Sequence, residues 1–254
     1  MATEKEIDRE RLLLHLSTLT VQFEYFNVQL GRPQWPGKKV LDFGGNIGGF
    51  LAWASPHVRP EDYWCLDVHR PAIDEGRHRF PSAHWHHYDR FNPQFNPEGA
   101  PGLPVPDLHV LFDYIIAYSV FTHTTTVETD ELVDQLMAAL VPGGALAFTF
   151  LDPHWAETPG DESNLQRRLT QRAKSNTPVD ITALVELARK ADWAAVVDGD
   201  LLFLDPRRDL TEFPRDTIFD VLCTPKYMQS IYPEAEILEP VPPSRMHCCV
   251  LTRT

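Results

Sequence analysis

Apolar positions recur in two rhythms along this chain. Leu12, Leu16, Leu19, Phe23, Phe26 and Leu30 follow at steps of four and three, the stripe of one helix filling the first thirty residues. Gly31, Pro33, Pro36 and Gly37 break it. From there short apolar runs alternate with helical patterns. Strands are predicted over 38–43, 63–67, 83–88, 114–120 and 145–151, with a closing pair over 236–238 and 248–252. Helices are predicted over about 50–54, from Pro71 to about Arg79, and from Asp130 and Glu131 onward. The last of these carries Leu132, Val133, Leu136, Met137 and Leu140 on one face until Pro142-Gly143-Gly144 stops it. Residues 92–107, rich in Pro, Gly and Asn, read as a loop.

Strands alternating with helices imply an α/β fold with a mostly parallel, Rossmann-like sheet covered by helices on both faces. Residues 152–232 leave that rhythm. They hold a helix predicted over 181–190, capped by Asp180, and the apolar run Leu201 to Leu204. The expected organisation is an N-terminal helical segment, 1–36, contributing to an active-site lid. A main domain, 37–254, then carries an insertion over about 152–232 as a substrate cap.

Composition narrows the function. Of 254 residues, 43% are hydrophobic and 23% charged, ordinary for a globular chain, but the net charge is -13. That surface repels phosphate backbones and anionic lipid, so neither nucleic acid nor membrane is the expected partner. A small-molecule acceptor is, and a homodimer is allowed. The N-terminus lacks the pattern of a signal peptide and no apolar run spans a bilayer, so the expected location is cytoplasmic. Cys65, Cys223, Cys248 and Cys249 lack zinc-site spacing and read as buried, reduced thiols. His84, His86 and His87 read as surface histidines on an edge strand.

In a parallel sheet, ligands bind beyond the carboxyl ends of the strands, where Asp42, Asp67, Asp89, Tyr118 and Asp152 fall. The first of these ends runs into the turn Gly44-Gly45-Asn46-Ile47-Gly48-Gly49, whose glycines permit a tight bend and close ligand approach. Such a turn serves dinucleotides and S-adenosylmethionine alike. Asp42 separates them, because a carboxylate repels a pyrophosphate but attracts the ammonium of S-adenosylmethionine. Asp67, nineteen residues after Gly48, can accept hydrogen bonds from ribose hydroxyls.

In the order of its motifs the chain resembles the class I S-adenosylmethionine-dependent methyltransferases of small-molecule type. The matching pieces are VLDFGGNIGGF from Val40, YWCLDV from Tyr63, HHYDR from His86, FDYIIAYSVFTH from Phe112 and LVPGGALAFTF from Leu140. The closing EILEPV and HCCVLTR complete the set. They span roughly Gly37 to Leu151 and Glu236 to Arg253. The resemblance implies a seven-stranded sheet with the last strand antiparallel. It also implies that Asp42, Gly44, Gly45, Asn46 and Gly48 line the methionine end of the cofactor. Asp67 would hold the ribose, with Val68 and His69 beside the adenine, Asp89 and Arg90 at its edge, and Tyr118 under the methionine. Asn46 departs from the family, which commonly has Gly there; Asn tolerates left-handed backbone better than most residues.

The implied activity is methyl transfer from S-adenosylmethionine, leaving S-adenosylhomocysteine. The expected acceptor is a carbon, nitrogen or oxygen nucleophile of a small aromatic or heteroaromatic metabolite, of the kind secondary metabolism makes. No metal is needed for this chemistry. His123, just after the fourth strand, is the candidate general base, with a structural role as its rival. Tyr25 is the second catalytic candidate. Tyr25, Phe26, His123, Asp152, His154 and Trp155 are the candidate acceptor contacts. Two other functions stay open: a nicotinamide-dependent oxidoreductase, and a protein that binds S-adenosylmethionine without methyl transfer, as a regulator or cyclisation catalyst.

Overall fold

The computed structural model describes residues 21–172, 193–197, 201–203 and 219–254. The predicted stripe positions Leu12, Leu16 and Leu19 and the predicted helix over 181–190 lie outside the described residues. Among the described residues of that segment, α1 (Gln22–Gln29) buries Phe23, Tyr25 and Phe26.

The sheet is built as the alternation predicts. The chain runs β1 (Val40–Phe43), α2 (Gly49–Ala54), β2 (Tyr63–Asp67), α3 (Arg70–Arg79), β3 (His84–His87), β4 (Phe112–Ala117), α4 (Thr126–Ala138) and β5 (Leu140–Phe150). After β5 come α5 (Asn164–Arg172), β6 (Trp193–Val197), β7 (Leu201–Phe203), β8 (Phe219–Cys223), α6 (Pro225–Ile231), β9 (Glu236–Leu238) and β10 (His247–Thr252). Seven strands pair in the order β3-β2-β1-β4-β5-β10-β9, with β1 to β5 parallel and β10 antiparallel to both its neighbours. The inserted strands form a separate antiparallel sheet, β7-β6-β8.

Successive residues of a strand face opposite sides, so the central strands feed two cores. Leu41, Phe43, Leu66, Ile115 and Phe148 pack on one face with Leu132 and Leu136 of α4. Val40, Tyr63, Cys65 and Ile116 pack on the other with Phe26, Trp35 and Phe50. The end of the insertion joins the first core through Val221, Cys223, Met228 and Tyr232. All four cysteines are free and buried. His84 is exposed on edge strand β3, its ring stacked on Trp64 at 4.1 Å. No helix among the described residues is long and apolar enough to cross a membrane.

The largest departures from the predicted boundaries have local reasons. β4 ends at Ala117, not at Val120. Ser119 takes a left-handed φ of 58° and its N–H donates to Thr149 Oγ1 at 2.7 Å, turning the chain out of the sheet. α4 starts at Thr126, four residues before Asp130. Thr125 and Glu128 form a capping box, each side chain taking the other's backbone N–H. Pro142-Gly143-Gly144 does not stop that helix, which has ended at Ala138; it lies within β5, beside a register shift against Phe112 and Tyr114. Gly143, at φ 78°, donates to Arg253 O at 2.7 Å, and Arg253 N–H donates back to Gly144 O at 2.9 Å.

Candidate active site

A cavity of about 400 Å³ opens at the carboxyl ends of β1, β2 and β4. Its floor is Phe43, Gly44 and Asn46 after β1, and Leu66, Asp67, Val68 and His69 at the end of β2. Tyr88, Arg90 and Phe95 wall it after β3; Tyr118, Ser119, Val120 and His123 do so after β4. Phe91, Asn92 and Thr124, with Glu128 and Leu132 of α4, Gln22 of α1 and Met246, complete the lining.

The glycine turn owes its shape to internal packing as much as to any ligand. Gly44 has φ +73°, and a Cβ there would meet Val120 Cγ2 at 2.4 Å. Its N–H donates to Leu66 O at 2.8 Å, pinning the turn to β2. Asn46 adopts φ 52°, so the departure from the family's glycine is absorbed by a left-handed Asn. Its Oδ1 accepts the Ile47 N–H at 2.8 Å, and its own N–H donates to Asp67 Oδ2, also at 2.8 Å. Gly45 and Gly48 do not reach the cavity. A Cβ on Gly45 would sit 2.6 Å from the Asp42 carboxyl carbon, and one on Gly48 would sit 2.7 Å from the Trp85 ring.

Asp42 lies behind the turn, not in the cavity, and is 2% exposed. The Tyr63 hydroxyl donates to its Oδ2 at 2.7 Å. Burial outweighs that bond and pushes the Asp42 carboxyl up to about 7. The contrast between ammonium and pyrophosphate drawn from Asp42 therefore does not act inside this cavity. The side chain instead stays sealed beneath Gly45. The raised value also sets a pH dependence. The folded state holds a proton that the unfolded state, near the ordinary 3.8, releases. The resulting stabilisation is complete below 3.8, falls as pH rises, and is gone above about 7. Asp42→Asn is expected to lack this loss, so urea titrations from pH 4.5 to 8 should show the variant gaining on wild type as pH rises. A constant difference across that range would refute the assignment.

Asp67 closes β2 with its carboxylate in the cavity. Oδ2 accepts from Asn46 N–H and Oδ1 accepts from His69 N–H at 2.7 Å. Burial holds its carboxyl above the ordinary range, against these two bonds. Each oxygen keeps a second lone pair, the acceptor that a ribose hydroxyl needs. Asp67→Asn would set an NH₂ against one of those backbone N–H groups. Cofactor affinity is expected to fall about tenfold, one charge-assisted hydrogen bond's worth; calorimetry showing unchanged affinity would remove Asp67 from the binding set.

Arg90 is 4% exposed and already engaged. It donates to Leu103 O at 2.7 Å, to both Glu131 carboxylate oxygens at 3.2 Å, and to Glu128 Oε1 at 3.5 Å. Asp67 and Glu128 thus face the cavity against a single, neutralised cation. That balance favours a cationic ligand and opposes a pyrophosphate. His123 borders the cavity within a 3-10 turn, Phe121–His123, with the ring of Phe95 edge-on at 6.3 Å.

The structure therefore brings Gly44, Asn46, Asp67, Val68, His69, Arg90, Tyr118 and His123 together. It places the remaining candidates elsewhere. Tyr25 is 2% exposed, donates to Met246 O at 2.9 Å and packs edge-on against Phe26 and Tyr118. Phe26 is fully buried. Asp89 accepts from Asn96 Nδ2 at 3.1 Å outside the lining. Asp152, His154 and Trp155 belong to a separate polar cluster. There Asp152 Oδ1 accepts the His154 N–H at 2.9 Å, and the Arg245 guanidinium lies 5.0 Å from the Trp155 ring. Gln22, Phe95, Ser119, Glu128 and Met246 line the cavity without having been singled out in the sequence. Only Glu128 carried a signal, the Thr-x-x-Glu capping pattern.

Residues 41–146 match the model of a family described as a methyltransferase domain. Over these residues the chain is similar to methyltransferase domains. The fold agrees: DesVI of Streptomyces venezuelae aligns over 100% of both chains at 15% identity and a TM-score of 0.54. The glycopeptide N-methyltransferase MtfA aligns over 93% of this chain and 90% of its own, at 11% identity and 0.53. An O-methyltransferase family protein from Burkholderia thailandensis aligns over 97% and 60%, at 11% and 0.53. No curated protein matches in sequence. Within the matched residues the glycine turn, Asp67 and the β4 end all meet at one cavity.

Proposed function

We propose that this protein transfers a methyl group from S-adenosylmethionine to a nitrogen, oxygen or carbon of a small molecule. The cavity carries the proposal: one continuous space runs from the glycine turn past Asp67 to His123, facing two carboxylates and one engaged arginine. The residues fit the cofactor. Asp67 offers acceptors for ribose hydroxyls. Val68, Phe95 and Leu132 offer apolar contact for a base, while Gly44, Asn46 and Ser119 offer polar atoms to the amino-acid end. When bound, the cofactor supplies a methyl group on a sulfonium, which becomes a neutral thioether as an acceptor lone pair takes the methyl.

The chain's own residues then have three tasks. Phe43, Leu66 and Leu132 keep water from the reacting centre. The turn and Asp67 hold one reactant still, the positioning that supplies much of the rate. His123 takes a proton from an acceptor heteroatom that bears one. Two of the structural neighbours are named for nitrogen and oxygen methylation, in line with a heteroatom acceptor. The aromatic side chains at the cavity, Tyr88, Phe91 and Phe95, suit a planar acceptor. The segment 1–36 is proposed as a lid, supported by Gln22 of α1 in the lining, and the insertion over about 152–232 as a cap. Incubation of a metabolite extract with enzyme and methyl-labelled cofactor tests the function. A labelled product one methyl heavier is expected; labelled cofactor returned intact, with binding established, would leave a binding protein.

A further inference from the structure

His123 has a second neighbour outside the cavity. Asp220, on β8 of the inserted sheet, is fully buried, and its Oδ1 lies 3.9 Å from His123 Nδ1. The same oxygen lies 3.8 Å from Nε of Arg168 on α5. A carboxylate taken wholly out of water costs several kcal/mol unless cations face it, so the pairing is the condition for an aspartate at this position. Val221 and Leu222, next along β8, are packed into two different apolar clusters, which fixes the strand and leaves Asp220 little freedom to turn away.

We propose that Asp220 is a positioning residue that makes His123 a directed proton acceptor, through an Asp220–His123 dyad joining the insertion to the cavity. The inference rests on the reading of His123 as the group that takes the acceptor's proton. An imidazole has two nitrogens, and the hydrogen bond made by one selects the tautomer of the other. At 3.9 Å the pair is in ion-pair range but longer than a hydrogen bond, so the dyad requires it to close when reactants bind. With the Nδ1 proton then directed at Asp220, Nε2 keeps its lone pair. A hydroxyl passes its proton to Nε2 as its oxygen bonds to the methyl carbon; an ammonium passes its proton to Nε2 first, which frees the nitrogen lone pair that then bonds to that carbon. The sulfonium keeps the electron pair of the broken bond, and the new imidazolium is neutralised by Asp220. Arg168 faces the same Asp220 oxygen at 3.8 Å. The substrate class this selects is an acceptor whose nucleophile must lose a proton, a hydroxyl or an ammonium, in contrast to a nucleophile that carries none.

Among the described residues, the charged groups around the imidazole include Asp220 of β8 and, beside it, Arg168 of α5. Across the cavity are Glu128 of α4, Asp67 and His69 at the end of β2, and Arg90 after β3. Only Asp220 lies within ion-pair reach of Nδ1 among the described residues.

Nitrogen NMR of the wild-type protein, with His123 assigned by His123→Gln, tests the dyad without any acceptor or cofactor. The expected neutral form carries its proton on Nδ1; a proton on Nε2 would overturn the proposal. In Asp220→Asn the His123 titration is expected to move down by about one pH unit. The acid limb of the kcat profile on a hydroxyl or ammonium acceptor should move with it, while the KM for S-adenosylmethionine stays unchanged. An unmoved His123 titration in a folded variant would also overturn it. Calorimetry with S-adenosylmethionine keeps the two levels apart. Absent binding would refute the methyl-transfer function, and the tautomer and titration would still decide the dyad.

Discussion

Gly44→Ala is expected to destabilise the protein by about 3 kcal/mol, the sum of a left-handed backbone penalty and an overpacked contact. At φ +73° any side chain strains the backbone, and the new methyl would lie 2.4 Å from Val120 Cγ2. Neither side can yield cheaply. The Gly44 N–H is tied to Leu66 O, and Val120 sits between the Ser119 turn and the Phe121–His123 turn. Relief must open the gap between the ends of β1 and β4, which is the cavity floor. Affinity for S-adenosylmethionine should therefore fall more than about tenfold in whatever fraction stays folded. Gly143→Ala is the control: its φ is +78° but a Cβ there meets nothing within 4 Å, so only the backbone penalty of about 1 kcal/mol should appear. Equal losses in urea titrations of the two variants would show that the Val120 contact does not matter.

His123→Ala is expected to lower turnover on a proton-bearing acceptor by about a hundredfold, the lower range for a lost general base. Cofactor affinity should stay close to wild type, because the alanine keeps the backbone of the 3-10 turn and removes no group that the glycine turn or Asp67 uses. That division between a fallen kcat and an unmoved affinity is the signature of a group needed in the transition state alone. Full turnover in the variant would make His123 structural. The buried Asp220 carboxylate would then have Arg168 facing it without the imidazole, so some loss of stability is expected as well.

The parts of this molecule written in local sequence were legible. β2 and β9 match their predicted bounds to the residue, since each is a short apolar run between breakers. The mostly parallel sheet follows from the alternation, and the cavity from where parallel strands end. Asp67 was identifiable as a carboxylate closing an apolar strand. What local sequence hid were features settled by partners far along the chain. Asp42 looks like a ligand because it ends a strand, yet Tyr63 and the missing Cβ of Gly45 seal it in the core. Pro142-Gly143-Gly144 looks like a helix stop, yet Arg253 and the register shift opposite Phe112 hold it in β5. Tyr25 is a sequence candidate for catalysis and acceptor contact, but its hydroxyl donates to the Met246 carbonyl. Asp220 carried no signal at all. Only the pairing of β8 with β6, and the packing of that sheet's last strand beside the His123 turn, reveals it.

The central claim is that the cavity at the ends of β1, β2 and β4 is built for S-adenosylmethionine. Isothermal titration of the purified protein with S-adenosylmethionine, and in parallel with NAD, tests it most directly. The account predicts saturable binding of S-adenosylmethionine in the micromolar range, weakened in Asp67→Asn, and no heat from NAD. Micromolar binding of NAD with none of S-adenosylmethionine would contradict it.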